Sequence, residues 1–264
     1  MAELQFRDAA AAGYDRSVGE MTRQIVPPLL RAARLTSGMR VLDIATGTGL
    51  AAEAALAVVG PTGHVVAADI SPAMISRARE RLGGRPNVTF AVEDAQALTL
   101  ADQAFDAVIC NMGLMYLPDP ARGLAEFHRV LRPGGRSAVS VFTRADRALV
   151  GGLVRAAIAR WVPAKAEEAA HFYSAGEERR LGGLFEGAGL REVETAVEAL
   201  RFAYADFADF FGGVERGEGH MGQEYMALPD DARRAIREEV RREVSDTGGP
   251  IEVEVEVRIA TGRH

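Results

Sequence analysis

Val41-Leu42-Asp43-Ile44-Ala45-Thr46-Gly47-Thr48-Gly49 decides the fold of this 264-residue chain. Val41, Leu42 and Ile44 make the short apolar run of a parallel strand buried on both faces. Gly47 and Gly49 carry no Cβ, so the backbone can turn sharply there and approach a ligand closely. The next eight residues, Leu50 to Ala57, are strong helix formers. Strand, glycine turn and helix start together aim backbone N–H groups at a nucleotide-type ligand.

Outward from that stretch, residues 41–142 alternate strand and helix patterns. Strands are predicted over 40–45, 64–69, 88–92, 105–111 and 136–142. Helices are predicted over 49–59, 72–82, 95–98 and 120–131. Ser71-Pro72 is a cap followed by a first-turn proline, and Pro133-Gly134-Gly135 ends a helix and turns the chain into a strand. Such alternation argues for a doubly wound parallel sheet. Before it, residues 1–40 look helical, with a break at Gly13-Tyr14-Asp15-Arg16 and a helix restarting at Pro27-Pro28. After it, helices are predicted over 145–160, 175–188 and 229–245, and strand character over 191–203 and 251–260. Residues 205–228, rich in Phe, Gly and Met, fit no single pattern.

Composition narrows the class. At 48% hydrophobic, the chain can bury a sizeable core. The net charge of −6 is uneven: residues 1–145 carry +1 and 146–264 carry −7. Without a basic stripe, nucleic acid is not an expected partner. Thirty of the 31 basic residues are arginine, which codon bias explains. No apolar run is long enough to span a bilayer, and the N-terminus lacks a basic-then-apolar signal pattern, so a cytoplasmic protein is the default expectation. A lone cysteine, Cys110, leaves no disulfide framework, no cysteine-rich metal site and no thiolate set for arsenic; no metal is expected.

The glycine turn alone fits a dinucleotide: Gly47, Gly49 and Ala52 match the fingerprint, and Asp69 stands 20 residues beyond Gly49, where a ribose-binding carboxylate belongs. Three features argue against a nicotinamide enzyme. Asp43, inside the strand end, would face a diphosphate at close range and suits a cationic amino group instead. Asp94, after the third strand, can accept a hydrogen bond from an exocyclic amine such as adenine's. No second βαβαβ half follows residue 145. An α-amino group, a ribose and an adenine without phosphate describe S-adenosylmethionine (SAM).

With those stretches in place, the chain resembles a class I SAM-dependent methyltransferase, most similar to the ubiquinone/menaquinone C-methyltransferase-like small-molecule enzymes. Val41–Gly49, Val65–Ser71, Phe90–Ala95, Phe105–Asn111 and Leu131–Gly135 carry the resemblance, firm over 14–145 and loose beyond. It implies an α/β, Rossmann-like, mostly parallel seven-stranded sheet with an antiparallel last strand and a helical lid. A single domain over 1–264 is expected: an N-terminal helical segment (1–37), a SAM-binding core (38–145), and lid helices with the last two strands (146–264). The resemblance places Asp43, Ala45, Gly47 and Gly49 around the methionine moiety and Asp69 on the ribose. Ile70 falls on the adenine face with Met74 nearby, Asp94 and Ala95 at the adenine edge, and Asn111 and Met112 near the sulfonium. Tyr14 would close over the methionine end. Ala45 stands where the family pattern has glycine, which calls for an ordinary backbone conformation there.

The expected activity is methyl transfer to a small, mainly apolar molecule at carbon, oxygen or nitrogen. The alternatives are a methyltransferase-fold enzyme that cyclises or rearranges its substrate with SAM in a structural role, and a non-catalytic SAM-binding protein. His171 and His220, both in the covering region, are the candidate general bases. His64, His128 and His264 read as structural, Cys110 and Met115 as core. Phe202, Tyr204, Phe207, Phe210 and Phe211 either line an apolar pocket or pack a lid helix. Glu252, Glu254 and Glu256 put carboxylates on one face of a strand that should be central. Either solvent, arginines or a partner chain, as in a homodimer, must meet them.

Overall fold

The computed structural model describes Asp15 and residues 19–264, apart from the Leu149 side chain. Within them, seven strands form one sheet in the order β3-β2-β1-β4-β5-β7-β6. They are β1 (Arg40–Ile44), β2 (His64–Asp69), β3 (Val88–Val92), β4 (Phe105–Asn111), β5 (Leu131–Phe142), β6 (Arg191–Tyr204) and β7 (Ile251–Arg263). The first five pair in parallel; β7 lies antiparallel between β5 and β6.

The two faces are filled alternately, as strand geometry requires. Val41, Val65, Ala67, Ala107 and Ile109 pack on one side, beneath Gly19–Ala32 and Leu50–Val59. Leu42, Ile44, Val66, Ala68, Val108 and Cys110 pack on the other, with Phe127 and Phe185. A third apolar cluster lies outside the sheet. Val154, Ala157, Phe207, Phe211, Tyr225, Ile236 and Val240 join Leu149–Trp161, Phe207–Glu215, Gly219–Met226 and Asp230–Glu243 into a cap.

Several expectations change. The helix Gly19–Ala32 runs unbroken through Pro27 and Pro28. Ile25, Val26, Leu29 and Leu30 bury its other side, and that packing outweighs the two missing N–H donors. Residues 95–98 form turns, not a helix: Asp94 takes the Gln96 amide at 2.9 Å, and Glu93 takes the Thr99 amide and hydroxyl at 2.8 and 2.6 Å, folding the segment back. β5 begins at Leu131, because Leu131 already pairs with Phe105 across a register shift before Ala107. The unpatterned 205–228 stretch is two short helices. The β7 carboxylates are met by arginine: Arg147 lies 3.0 Å from Glu254 and 3.9 Å from Glu256, and Arg201 lies 3.7 Å from Glu254, while Glu252 is exposed.

Candidate active site

The strand order reverses between β1 and β4, and the carboxyl ends of these strands are where such sheets bind ligands. β1 runs into Ala45–Gly49. Gly49 has φ +87°, and a Cβ there would lie 3.2 Å from Ala78 and Leu82, so glycine lets this turn seat against its neighbouring helix. Asp69, at the end of β2, spans the turn: Oδ2 accepts the Gly47 amide at 2.9 Å and Oδ1 the Ser71 amide at 2.9 Å. Burial pushes its carboxyl upward against those bonds. Ser71 itself caps the following helix, accepting the Met74 amide at 3.3 Å.

Asp43 is fully buried. The Thr46 hydroxyl donates to its Oδ2 at 2.5 Å, and Oδ1 accepts no hydrogen bond among the described residues. Burial pushes this carboxyl up to about 7, although the Thr46 hydroxyl pulls it down; the nearby Asp69 charge adds to the rise. A buried carboxylate oxygen without a donor beside a glycine turn fits a cationic amino group.

Ala45 does not have an ordinary backbone. Its φ is +57°, in the left-handed region that alanine rarely adopts. Met112, across the site, has φ +56°. Gly113, next to Met112, faces Ala45: a Cβ there would come 2.5 Å from the Ala45 Cβ and 2.8 Å from Cys110 Sγ. The strained turn is thus braced against the end of β4, a contact that no motif marks in the sequence.

The remaining expected positions spread along the same edge. Ile70 is 56% exposed beside Asp69, an apolar face at the mouth of the site. Met74 is buried. Asp94 is half-buried and already engaged by Gln96, and Ala95 is buried. Tyr14 lies outside the described residues. Its neighbour Asp15 accepts the Thr48 hydroxyl at 2.6 Å and pairs with Arg81 beside the turn.

Asn111 and Met112 stand between two cavities. Thr22, Ala45, Thr46, Gly47, Thr48 and Asn111 line a small one at the glycine turn. Met21, Met112, Met115 and Tyr116 line a larger one of about 210 Å³ beneath the cap. Two pairs of chain neighbours, Met21-Thr22 and Asn111-Met112, therefore wall both. The Ser140 hydroxyl holds Asn111, donating to its Oδ1 at 2.9 Å while accepting the Met112 amide at 3.1 Å.

The cap completes the larger cavity. Phe142, Phe172, Tyr173, Tyr204 and Phe210 form its aromatic wall. The aromatic group 202–211 divides its duties: Tyr204 and Phe210 face the cavity, Phe207 and Phe211 pack the cap, and Phe202 joins the sheet core. His220 lines the cavity, 3.5 Å from Glu224 and edge-on to Tyr116. Burial raises the Glu224 carboxyl, but hydrogen bonds from His220 and Lys165 prevail and hold it at about 2. Glu168, His220 and Glu224 could converge on a cation, yet Lys165 Nζ already lies 2.6 Å from Glu168 and 2.8 Å from Glu224. His171 stands apart from this lining. Its Nε2 donates to the Leu117 carbonyl at 2.9 Å, so that nitrogen is committed to structure. Tyr116, Tyr173 and Arg155, which sequence reasoning missed, reach the cavity from segments with no motif of their own.

Residues 41–135 match the family model of the methyltransferase domain. The demethylmenaquinone methyltransferase of Clavibacter sepedonicus is 42% identical over 141 residues, 52% of this chain and 56% of that protein. The ubiquinone/menaquinone biosynthesis C-methyltransferase UbiE of Saccharophagus degradans is 42% identical over 117 residues, 43% of this chain and 47% of its own. The chain thus spans about half the length of the curated relatives it matches. Among solved structures, a SAM-dependent methyltransferase from Aquifex aeolicus superposes with a TM-score of 0.56 at 23% identity, covering 73% of this chain and 92% of that one. The phosphoethanolamine N-methyltransferase 2 of Haemonchus contortus, solved with S-adenosyl-L-methionine, does so with a TM-score of 0.61 at 16% identity, covering 99% and 58%. At these identities the structural likeness is one of fold. The chain has the class I methyltransferase fold, and over its core it is similar to the ubiquinone/menaquinone C-methyltransferases.

Proposed function

We propose that this protein is a SAM-dependent methyltransferase acting on a small, mainly apolar molecule. The observation that carries the reading is the shared wall: Asn111-Met112 separates a polar cavity at the glycine turn from an aromatic cavity under the cap. A donor site and an acceptor site must adjoin for a methyl group to pass directly between them. The strand ends around the first cavity fit SAM. Behind its glycine-turn lining, buried Asp43 offers a carboxylate oxygen to the amino group; along the same sheet edge, Asp69 offers a carboxylate to the ribose and exposed Ile70 an apolar face to the adenine. SAM supplies an already activated methyl group on a sulfonium.

The chain's own work is then alignment, exclusion of water and removal of one proton. Met112, Met115 and the aromatic wall hold an apolar acceptor against the shared wall. His220, with its ring oriented by the ionised Glu224, takes the proton that a hydroxyl or acidic carbon must lose. Glu224 also stabilises the imidazolium that results.

Calorimetric titration with SAM and NAD, followed by incubation with methyl-labelled SAM and a panel of phenols, amines and enols, tests the reading. SAM should bind, NAD should not, and label should appear in the acceptor. SAM left intact beside a converted substrate would instead support rearrangement chemistry. His220→Gln should lower kcat about a hundredfold without changing SAM affinity. Unchanged turnover would remove His220 from the mechanism.

A further inference from the structure

Arg155 is the group that the proposed reaction leaves unexplained. It sits on the helix Leu149–Trp161, is 6% exposed, and lines the aromatic cavity. Its guanidinium lies 4.2 Å from the centre of the Phe172 ring. Nε is buried and has no hydrogen-bond partner. The nearest carboxylate, Glu224, presents Oε2 at 4.0 Å, while Lys165 at 2.8 Å and His220 at 3.5 Å hold its other oxygen, Oε1. The other charged groups of the cavity are likewise engaged. Arg216 pairs with Glu218 at 2.8 Å, and Asp209 accepts the Ala205 amide at 3.0 Å. Tyr173 gives Arg155 a neutral oxygen, not a charge.

A buried guanidinium with an unused donor is costly unless something anionic meets it. Glu224 supplies charge at 4.0 Å but leaves Nε without an acceptor, and a purely apolar substrate would leave it so. Arginine also presents paired donors that match a carboxylate, and its position over the Phe172 ring holds the guanidinium at the aromatic wall. Cavity size adds a second constraint. A cavity of about 150 Å³ holds a benzene ring. The 210 Å³ here suits one or two fused rings between the aromatic walls and does not enclose a long chain.

Resting on the methyltransferase reading, we propose that the acceptor is a compact aromatic carboxylate, and that Arg155 is the specificity residue that binds its carboxylate. With the carboxylate on Arg155, the ring lies among Phe142, Phe172, Tyr204 and Phe210, and a ring substituent can reach His220. The acceptor would then differ from the quinone-type substrates in the names of the relatives. Arg155 lies outside residues 41–135, the stretch that matches the family model.

Calorimetry with 1-hydroxy-2-naphthoate and its uncharged carboxamide, each with and without S-adenosylhomocysteine, tests this. The wild-type protein should bind the acid at least tenfold more tightly than the amide. Arg155→Met should abolish the preference, and Arg155→Lys should retain part of it. Equal binding of acid and amide, no binding of the acid, or an undiminished preference in Arg155→Met would overturn the proposal. The wild-type comparison stands even if Arg155→Met fails to fold. S-adenosylhomocysteine binding reads the other question: its loss in the wild-type protein breaks the methyltransferase reading, whereas its retention without acid preference breaks only the Arg155 proposal.

Discussion

In β1, four consecutive residues are buried, and in β2 five; in the cap helix Asp230–Glu243, only Ala232, Ile236 and Val240 are. The sheet half of the molecule is sealed on both faces by short apolar runs. The cap half is a set of amphipathic helices that share a small aromatic core. A buried parallel strand announces itself within six residues. A cap helix shows one apolar stripe, which says nothing about what it will meet. The cavity at the glycine turn is built around the first kind of element and the aromatic cavity largely from the second.

The largest expected effect probes whether the two halves are separate cooperative units. Phe211 is fully buried in the cap, stacked 5.3 Å from Phe207 and edge-on to Tyr225 at 5.5 Å. Phe211→Ala should destabilise its surroundings by about 3–5 kcal/mol. Hydrogen exchange should speed up in 149–161, 207–226 and 230–243 while the amides of β1, β2 and β4 stay protected, and SAM affinity should hold. Equal acceleration in both halves would show one cooperative unit and erase the comparison.

That asymmetry explains what could be read from the chain. β1 to β4 fall within a residue of their expected bounds, because Val65–Ala68 and Val108–Cys110 are apolar without interruption and Val41–Ile44 is broken only by Asp43. Asp43, Asp69 and Asn111 follow from their places at strand ends. Arg155, Tyr116 and Tyr173 do not, since each reaches the cavity only through tertiary packing of separate segments. The helix restart at Pro27 and the short helix at 95–98 failed for a related reason. Packing of Ile25 and Leu29 overrode the prolines, and side chains of Glu93 and Asp94 captured backbone amides that a helix would have used.

The intermediate effect lies in the donor site and depends on pH. The Asp43 carboxyl titrates near 7 in the folded protein, above the 3.8 of an exposed one. Between those values the folded state holds a proton that the unfolded state has released. This group therefore favours folding at low pH, and that contribution is lost as pH rises from about 4 to 7. SAM binding has the opposite slope, because a cationic amino group needs the ionised form: affinity should climb from pH 5.5 to 7 and level off above. Asp43→Asn should flatten both profiles, make the free protein more stable at pH 8, and weaken SAM binding about tenfold to a hundredfold. A binding profile in the variant that still rises towards pH 7 would assign the titration to another group, with Asp69, also shifted upward by burial, first in line.

The smallest effect tests a backbone conformation in the legible half that the sequence does not show. Ala45, where the resemblance calls for glycine, has φ +57°, and Met112 is left-handed too. A left-handed alanine costs about 1–2 kcal/mol. Ala45→Gly would relieve that strain but give back about 0.4–1 kcal/mol of chain entropy in the unfolded state. The net expectation is a stabilisation of about 0.5–1 kcal/mol, a rise in Tm of roughly 2 °C. Ala45→Val should act in reverse, because a β-branched residue tolerates this region least. The functional consequence separates two roles for the strain. The Ala45 Cβ sits against Gly113, so the methyl group also braces the turn on the end of β4. If Ala45→Gly gains stability and keeps SAM affinity, the strain is incidental. If it gains stability while SAM affinity falls, the methyl contact holds the glycine turn in its binding shape, and the departure from glycine is part of the site.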